Sequence, residues 1–348
     1  MSSGRWFVSP AVDLLFCCGG ALWLLVACHY AFGWQLRYAM DGPGVFAGSV
    51  AALIGVICLS DAHVAASLFR FYGTDKLRQR NRAVSYLIPA ALACLGIASL
   101  FNTAILALGL RAYLLLITHH LAWQTYGIVL LYCRKQGSTL SPQRKLGLKL
   151  FFSALTLHGM AQQLGNPKFL SVGSIFSTPF LTVSEGVVAT TQAVLIAALL
   201  LVVLQNIRVK SQDRLPFPCW LLFGTSVLIY SFAIEILQVF WLYVPAFFHG
   251  SQYLVVLAST GLSGGQRDQD RASRSVLSEL GRDENTSFWL WAMAIGVAIY
   301  IGIPTTLSHF GFNLITAFNA VFWSVNLLHF AIDSVMWKGE KVARRETA

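Results

Sequence analysis

Seven of the eight histidines in this sequence stand inside long apolar runs: His29, His63, His119, His120, His158, His249 and His329, with His309 alone in a short outer connection. An ionisable group in lipid is expensive and usually faces the interior of a helix bundle, so each is a candidate for function. Neutral imidazole is the commonest side-chain metal ligand and also carries protons. The bland alternative is a histidine that only hydrogen-bonds a neighbouring helix. What favours chemistry is the conjunction of His63, His120, His158 and His329 on four different segments with two acids in apolar surroundings, Asp61 and Asp333; Glu235, in SFAIEILQVF, is a third.

Spacing sharpens this picture. In NLLHFAIDSVMWK, His329 and Asp333 are four apart and share a helix face, where the carboxylate can be a co-ligand or orient the imidazole. In THHLAWQTYG, His120 and Gln124 are four apart, whereas His119 points about 100° away and shares a face with Trp123. One of the adjacent histidines therefore faces inward and the other packs. In FFHGSQYL, Gly250 permits close approach beside His249 and Gln252. Asp61 and His63 point to nearly opposite sides of a straight helix, while His63 and Arg70 share one.

Depth is set by the distance in sequence to the flanking charges. His63 lies seven residues before Arg70, His329 nine before Lys338 and His158 nine after Lys149. At ~1.5 Å per residue this places all three roughly 10 to 14 Å in from those charges, in one layer. His120, fourteen residues from Arg134, lies roughly 21 Å deep, near mid-membrane, and His249 is similarly deep or nearer the outer face.

Imidazoles with carboxylates fit iron, zinc or manganese, and the lack of organised thiolate or thioether ligands argues against copper(I) or an iron–sulfur cluster. The reading is an integral-membrane, metal-dependent oxidoreductase or oxygenase, with non-haem iron as the expected metal, acting on a lipid or isoprenoid as a hydroxylase, desaturase or cleavage oxygenase does. The expected ligands are His63, His120, His158 and His329, with His119 and His249 as further candidates. Asp333 is a ligand or its support, Asp61 a support, and Gln124, Tyr126 and Arg70 are candidates to position substrate or water. In style the histidine distribution is similar to that of histidine-dependent membrane oxygenases such as desaturases and the bacterial carotene-cleaving dioxygenases. The desaturase pattern of clustered histidine boxes is absent, so no residue role carries over.

Other classes remain beside this one. Another divalent metal could replace iron, or two histidines on facing helices, His63 with His329, could hold a haem axially. An ion- or proton-coupled transporter would use the same residues as a path, and a non-catalytic assembly factor would use them only to tie helices together. The expected partners are membrane lipids, a hydrophobic small-molecule substrate and a redox partner.

The elements that position these residues are transmembrane helices. Of 348 residues 56% are hydrophobic and 11% charged, against about 25% charged in soluble domains. Apolar runs near 20 residues without alternation must be helical in a bilayer. The fold class is all-α: a polytopic bundle of about ten spans at 11–33, 43–66, 84–102, 112–133, 149–164, 186–206, 217–237, 241–260, 287–305 and 311–337, or nine if the two between 217 and 260 merge.

Basic residues orient this map. With the N-terminus cytoplasmic, 22 of 25 Lys and Arg residues fall on the cytoplasmic side and only Arg37, Arg111 and Lys168 outside. Both termini are then cytoplasmic, and the net charge of +10 reflects topology and anionic lipid headgroups rather than nucleic acid. The first span lacks a small-residue cleavage site and is expected to be retained. The seven cysteines form no disulfide framework and read as packing residues. No internal repeat is evident, which weighs against repeat-built transporters. The chain is expected to form one membrane domain of residues 1–348, with a flexible cytoplasmic loop at 261–286, in a bacterial inner membrane.

Overall fold

The computed structural model describes residues 5–32, 53–165, 182–232, 244–260 and 283–343. Glu235 and residues 261–282 lie outside that range, as does the side chain of His29. The described residues form helices joined by short turns and connections, with no strand among them. In chain order the helices are α1 (Gly20–Phe32), α2 (Ala62–Tyr72), α3 (Asp75–Arg80), α4 (Ile88–Phe101), α5 (Thr103–Lys135) and α6 (Pro142–Gly165). After these come α7 (Glu185–Ile207), α8 (Phe217–Val227), α9 (Val244–Thr260), α10 (Asp283–Val297), α11 (Ile303–His309) and α12 (Leu314–Ala343).

Six described segments are long and apolar enough to cross a membrane: Leu53–Tyr72, Ala83–Phe101, Thr103–Lys135, Glu185–Ile207, Ser287–His309 and Leu314–Met336. Their polarity is inverted relative to a soluble protein. Val194, Ile196, Leu200 and Leu204 of α7 are exposed, whereas Asp61, His63, His329 and Asp333 are buried. Apolar surface facing outward requires lipid around it.

The remaining expected spans are less regular. Residues 11–33 begin with a helical turn, Pro10–Val12, and a π-turn, Asp13–Cys17, then break at Gly19, whose φ of 83° only glycine adopts freely. A Cβ at Gly19 would also meet Thr225, whose hydroxyl donates to the Cys18 carbonyl at 2.8 Å, so glycine lets α8 close on this break. Residues 149–164 belong to the longer α6, and α9 has 17 residues.

The helix expected at 112–133 begins nine residues earlier. Asn102 caps it, its side chain accepting from the amides of Ala104 at 2.9 Å and Ile105 at 3.4 Å. Arg111 is consequently a buried residue inside α5 rather than part of an outer connection.

The chain divides into two compact units. The first contains residues 1–56 and 118–285, hence α1, the second half of α5 and α6 to α9. Within it α6 packs along α7, and the π-turn Leu228–Phe232 after α8 packs on α6. There the Tyr230 hydroxyl donates to the Thr118 carbonyl at 3.0 Å.

The second unit contains residues 57–117 and 286–348, and α12 packs against α2, α4 and α11 within it. Phe71 of α2 and Ile332 and Met336 of α12 form an apolar seam, flanked by Leu68, Tyr72, Leu77, Val84, Leu328 and Val335. This seam fixes the register of α2 against α12. Gly109 of α5 seats the Trp323 indole of α12, because a Cβ there would lie 2.6 Å from Cδ2 and 2.9 Å from Cζ2. A π-turn, Val56–Asp61, opens directly into α2, two residues before His63. Such turns re-aim side chains at functional sites.

Candidate metal-binding histidine centres

In the second unit, α2 and α12 bring two imidazoles together. His63 Nε2 lies 3.2 Å from His329 Nε2, with ring centroids 4.8 Å apart and planes at 83°. His63 Nδ1 lies 3.0 Å from the Leu59 carbonyl one turn earlier. A carbonyl oxygen only accepts, so Nδ1 carries the proton and Nε2 of neutral His63 presents its lone pair toward His329. Metal-ligating histidines are oriented in this way, the second ring nitrogen donating to a backbone carbonyl or carboxylate.

Asp333, one turn beyond His329, places Oδ2 3.6 Å from His329 Nε2, and both side chains are 1% exposed. That separation is too long for a hydrogen bond, yet it suits two ligands of one ion. With metal–ligand bonds of about 2.05 Å, the 3.2 Å His63–His329 separation subtends about 103° at an ion and the 3.6 Å His329–Asp333 separation about 123°. Axial haem ligation needs about 180°, hence nitrogens about 4.1 Å apart. The pair geometry therefore fits cis ligands of a tetrahedral or octahedral ion better than a haem.

In the first unit, α5 and α9 form a comparable pair. His120 Nε2 lies 3.1 Å from His249 Nε2, with centroids 4.6 Å apart, which corresponds to about 98° at an ion. Amides surround it: Gln124 Nε2 donates to the His249 carbonyl and to Gln252 Oε1, each at 3.2 Å, and Gln252 Nε2 donates to the Cys17 carbonyl at 3.1 Å. Among the described residues, His120, His249, His329 and Asp333 offer ligand atoms that could hold a metal ion, and His63 Nε2 stands beside that of His329.

The other expected residues are placed differently. His119 is exposed and lies beside Trp123, centroids 5.8 Å apart, while His120 turns inward. His158 is buried with Nδ1 3.2 Å from the Thr191 hydroxyl and Nε2 3.5 Å from Gln162 Nε2, so it ties α6 to α7. Tyr126 is half-buried between Trp123 and Phe152. Arg70, also half-buried, lies in the last turn of α2, where its carbonyl accepts from Thr74 at 2.8 Å. Asp61 is buried against Gly296 of α10, where a Cβ would lie 3.0 Å from the Asp61 Cβ.

The partnership of His120 with His249 is not evident from the sequence, which brackets both at similar depth but leaves their helices 129 residues apart. The two glutamines at matched positions, Gln124 four residues after His120 and Gln252 three after His249, are the signal that could have joined them. Comparison with protein-family models, with curated proteins and with solved structures yields no match.

Proposed function

We propose that this protein is an integral-membrane, metal-dependent oxidoreductase that uses non-haem iron to act on a lipid or isoprenoid. The observation that carries the reading is the buried set of His63, His329 and Asp333: a lone pair held in place by the Leu59 carbonyl, a second imidazole at 3.2 Å and a carboxylate one turn away. Two histidines and one carboxylate leave coordination positions open for substrate and dioxygen, the ligand set of non-haem iron oxygenases.

Each residue has a role in this account. His63 and His329 bind, and Asp333 binds through Oδ2 or steadies His329 by its charge. Asp61, fixed by the close approach of Gly296, supports the turn that aims His63. Exposed apolar helix faces such as that of α7 suit a substrate that arrives from the bilayer.

The test is metal analysis together with an absorption spectrum on detergent-purified protein, and then oxygen-dependent turnover of lipid extracts. Stoichiometric iron without a haem band, lost together with turnover in His63→Ala, supports the proposal. Absence of any stoichiometric transition metal, or a haem spectrum, overturns it.

A further inference from the structure

The three amide contacts beside His120 and His249 have a fixed polarity. Because the Cys17 carbonyl can only accept, Gln252 must present Nε2 to it and Oε1 to Gln124. Gln124 must then present Nε2 to both Gln252 Oε1 and the His249 carbonyl, two acceptors that an amide oxygen could not face. No flip of either amide relieves this chain. It leaves Gln124 Oε1 buried with no hydrogen-bond partner among the described residues, on a side chain that is only 8% exposed.

An amide oxygen so placed loses its hydration without compensation, a penalty of about 1 to 3 kcal/mol. Gln124 stands one turn beyond His120 on α5, and its amide nitrogen bonds the backbone of His249 itself. Gln124 therefore adjoins the imidazole pair through the His249 backbone. We infer that His120 and His249 hold a divalent metal ion whose exchangeable ligand is a water or hydroxyl oxygen, and that this ligand donates its proton to Oε1 of Gln124.

The inference concerns a ligand pair other than the His63, His329 and Asp333 set of the proposed function, and it goes beyond that reading to the chemistry of the exchangeable ligand. The Gln124 oxygen selects a metal-bound oxygen ligand that bears a hydrogen, such as water, an alcohol or an enol. It discriminates against an anion without one, such as azide, which would displace the donor and strand the acceptor again.

The experiment uses the full chain in detergent, loaded with Co2+, with azide as the competing ligand. Visible d–d bands that remain in His63→Ala and disappear when His120→Ala or His249→Ala is added to it report the metal at this pair; if no such bands exist, the metal reading of this pair fails. If they exist, azide affinity separates the inference from it. In Gln124→Met the water loses its acceptor, so azide should bind about five-fold tighter, the equivalent of one neutral hydrogen bond of about 1 kcal/mol. In Gln124→Glu a stronger, charged acceptor should make azide bind more weakly than in the wild type. A merely structural amide would weaken Co2+ binding in both variants and move azide the same way in each. Equal azide affinity in wild type and Gln124→Met, with the Co2+ bands intact, overturns the inference.

Discussion

The contact of Gly109 with Trp323 sets the position of α12, and Gly109→Ala tests it. A methyl group at Gly109 would lie 2.6 Å and 2.9 Å from two indole carbons and closer still to a third, Cε2, so reaching a normal separation of about 3.5 Å requires a retreat of more than about 1 Å. Trp323 is 2% exposed, so a retreat of its ring displaces buried neighbours or parts α5 from α12. Overpacking of this kind costs about 1 to 3 kcal/mol. Against it stands the ~1 kcal/mol by which alanine exceeds glycine in a water-exposed helix. In a bilayer that gain is largely absent, because a separated helix stays helical where its backbone has no other partner. The clash should win.

Trp323 lies six residues before His329, about 9 Å along the helix axis, so displacement of α12 also reaches the His63–His329 pair. The assay is denaturant unfolding in mixed micelles with a double-mutant cycle: Gly109→Ala should lose about 1 to 2 kcal/mol, and Trp323→Leu should remove most of that loss when combined with it. Metal affinity should fall in Gly109→Ala and recover in the double variant. A Gly109→Ala protein within about 0.5 kcal/mol of wild type, or additive effects in the cycle, would refute the packing argument.

Three further outcomes rest on named contacts. Asp333→Asn keeps the side-chain shape but removes the charge beside His329, so metal affinity in equilibrium dialysis should drop about 10- to 100-fold while the helical circular dichroism stays unchanged. Tyr132→Phe removes the hydroxyl that donates to the buried Asp13 carboxylate, which also accepts from the amides of Phe7 and Val8, and should lower stability by about 1 to 3 kcal/mol in the same unfolding assay. In the polar connection after α7, donation from the Thr139 hydroxyl holds Asp213 below its ordinary pKa of 3.8. The depressed value means that this contact stabilises above pH 3.8 and is lost as pH falls through the lower folded value. Thr139→Val should therefore shift the acid limb of the melting-temperature profile upward in pH.

Local periodicity and the cost of burial determine how much of this molecule is legible in its sequence. The apolar runs at 84–102 and 186–206 return as Ala83–Phe101 and Glu185–Ile207, because a span in lipid has no alternative to a helix. The four-residue spacing of His329 and Asp333 and the similar depth of His63 both survive in the second unit, since depth is a matter of rise per residue. The turn from Val56 to Asp61 is invisible in sequence, because a π-turn inserts a residue without a composition marker and rotates the helix beyond it. Arg111 misleads for the opposite reason: a lone arginine marks a loop by default, yet Asn102 supplies the cap that carries the helix through it. His158 shows that depth does not fix partnership, as Thr191 on the next helix occupies its ring.

The most direct test of the metal account is X-ray absorption and elemental analysis of the purified protein beside His329→Ala. The account requires a first-row transition metal with nitrogen and oxygen scatterers at about 2.0 to 2.2 Å and no macrocycle signature, with the content reduced in the variant. A wild-type protein that carries no such metal after reconstitution with Fe2+ and Zn2+, or a variant that retains all of it in the same coordination shell, would contradict the account.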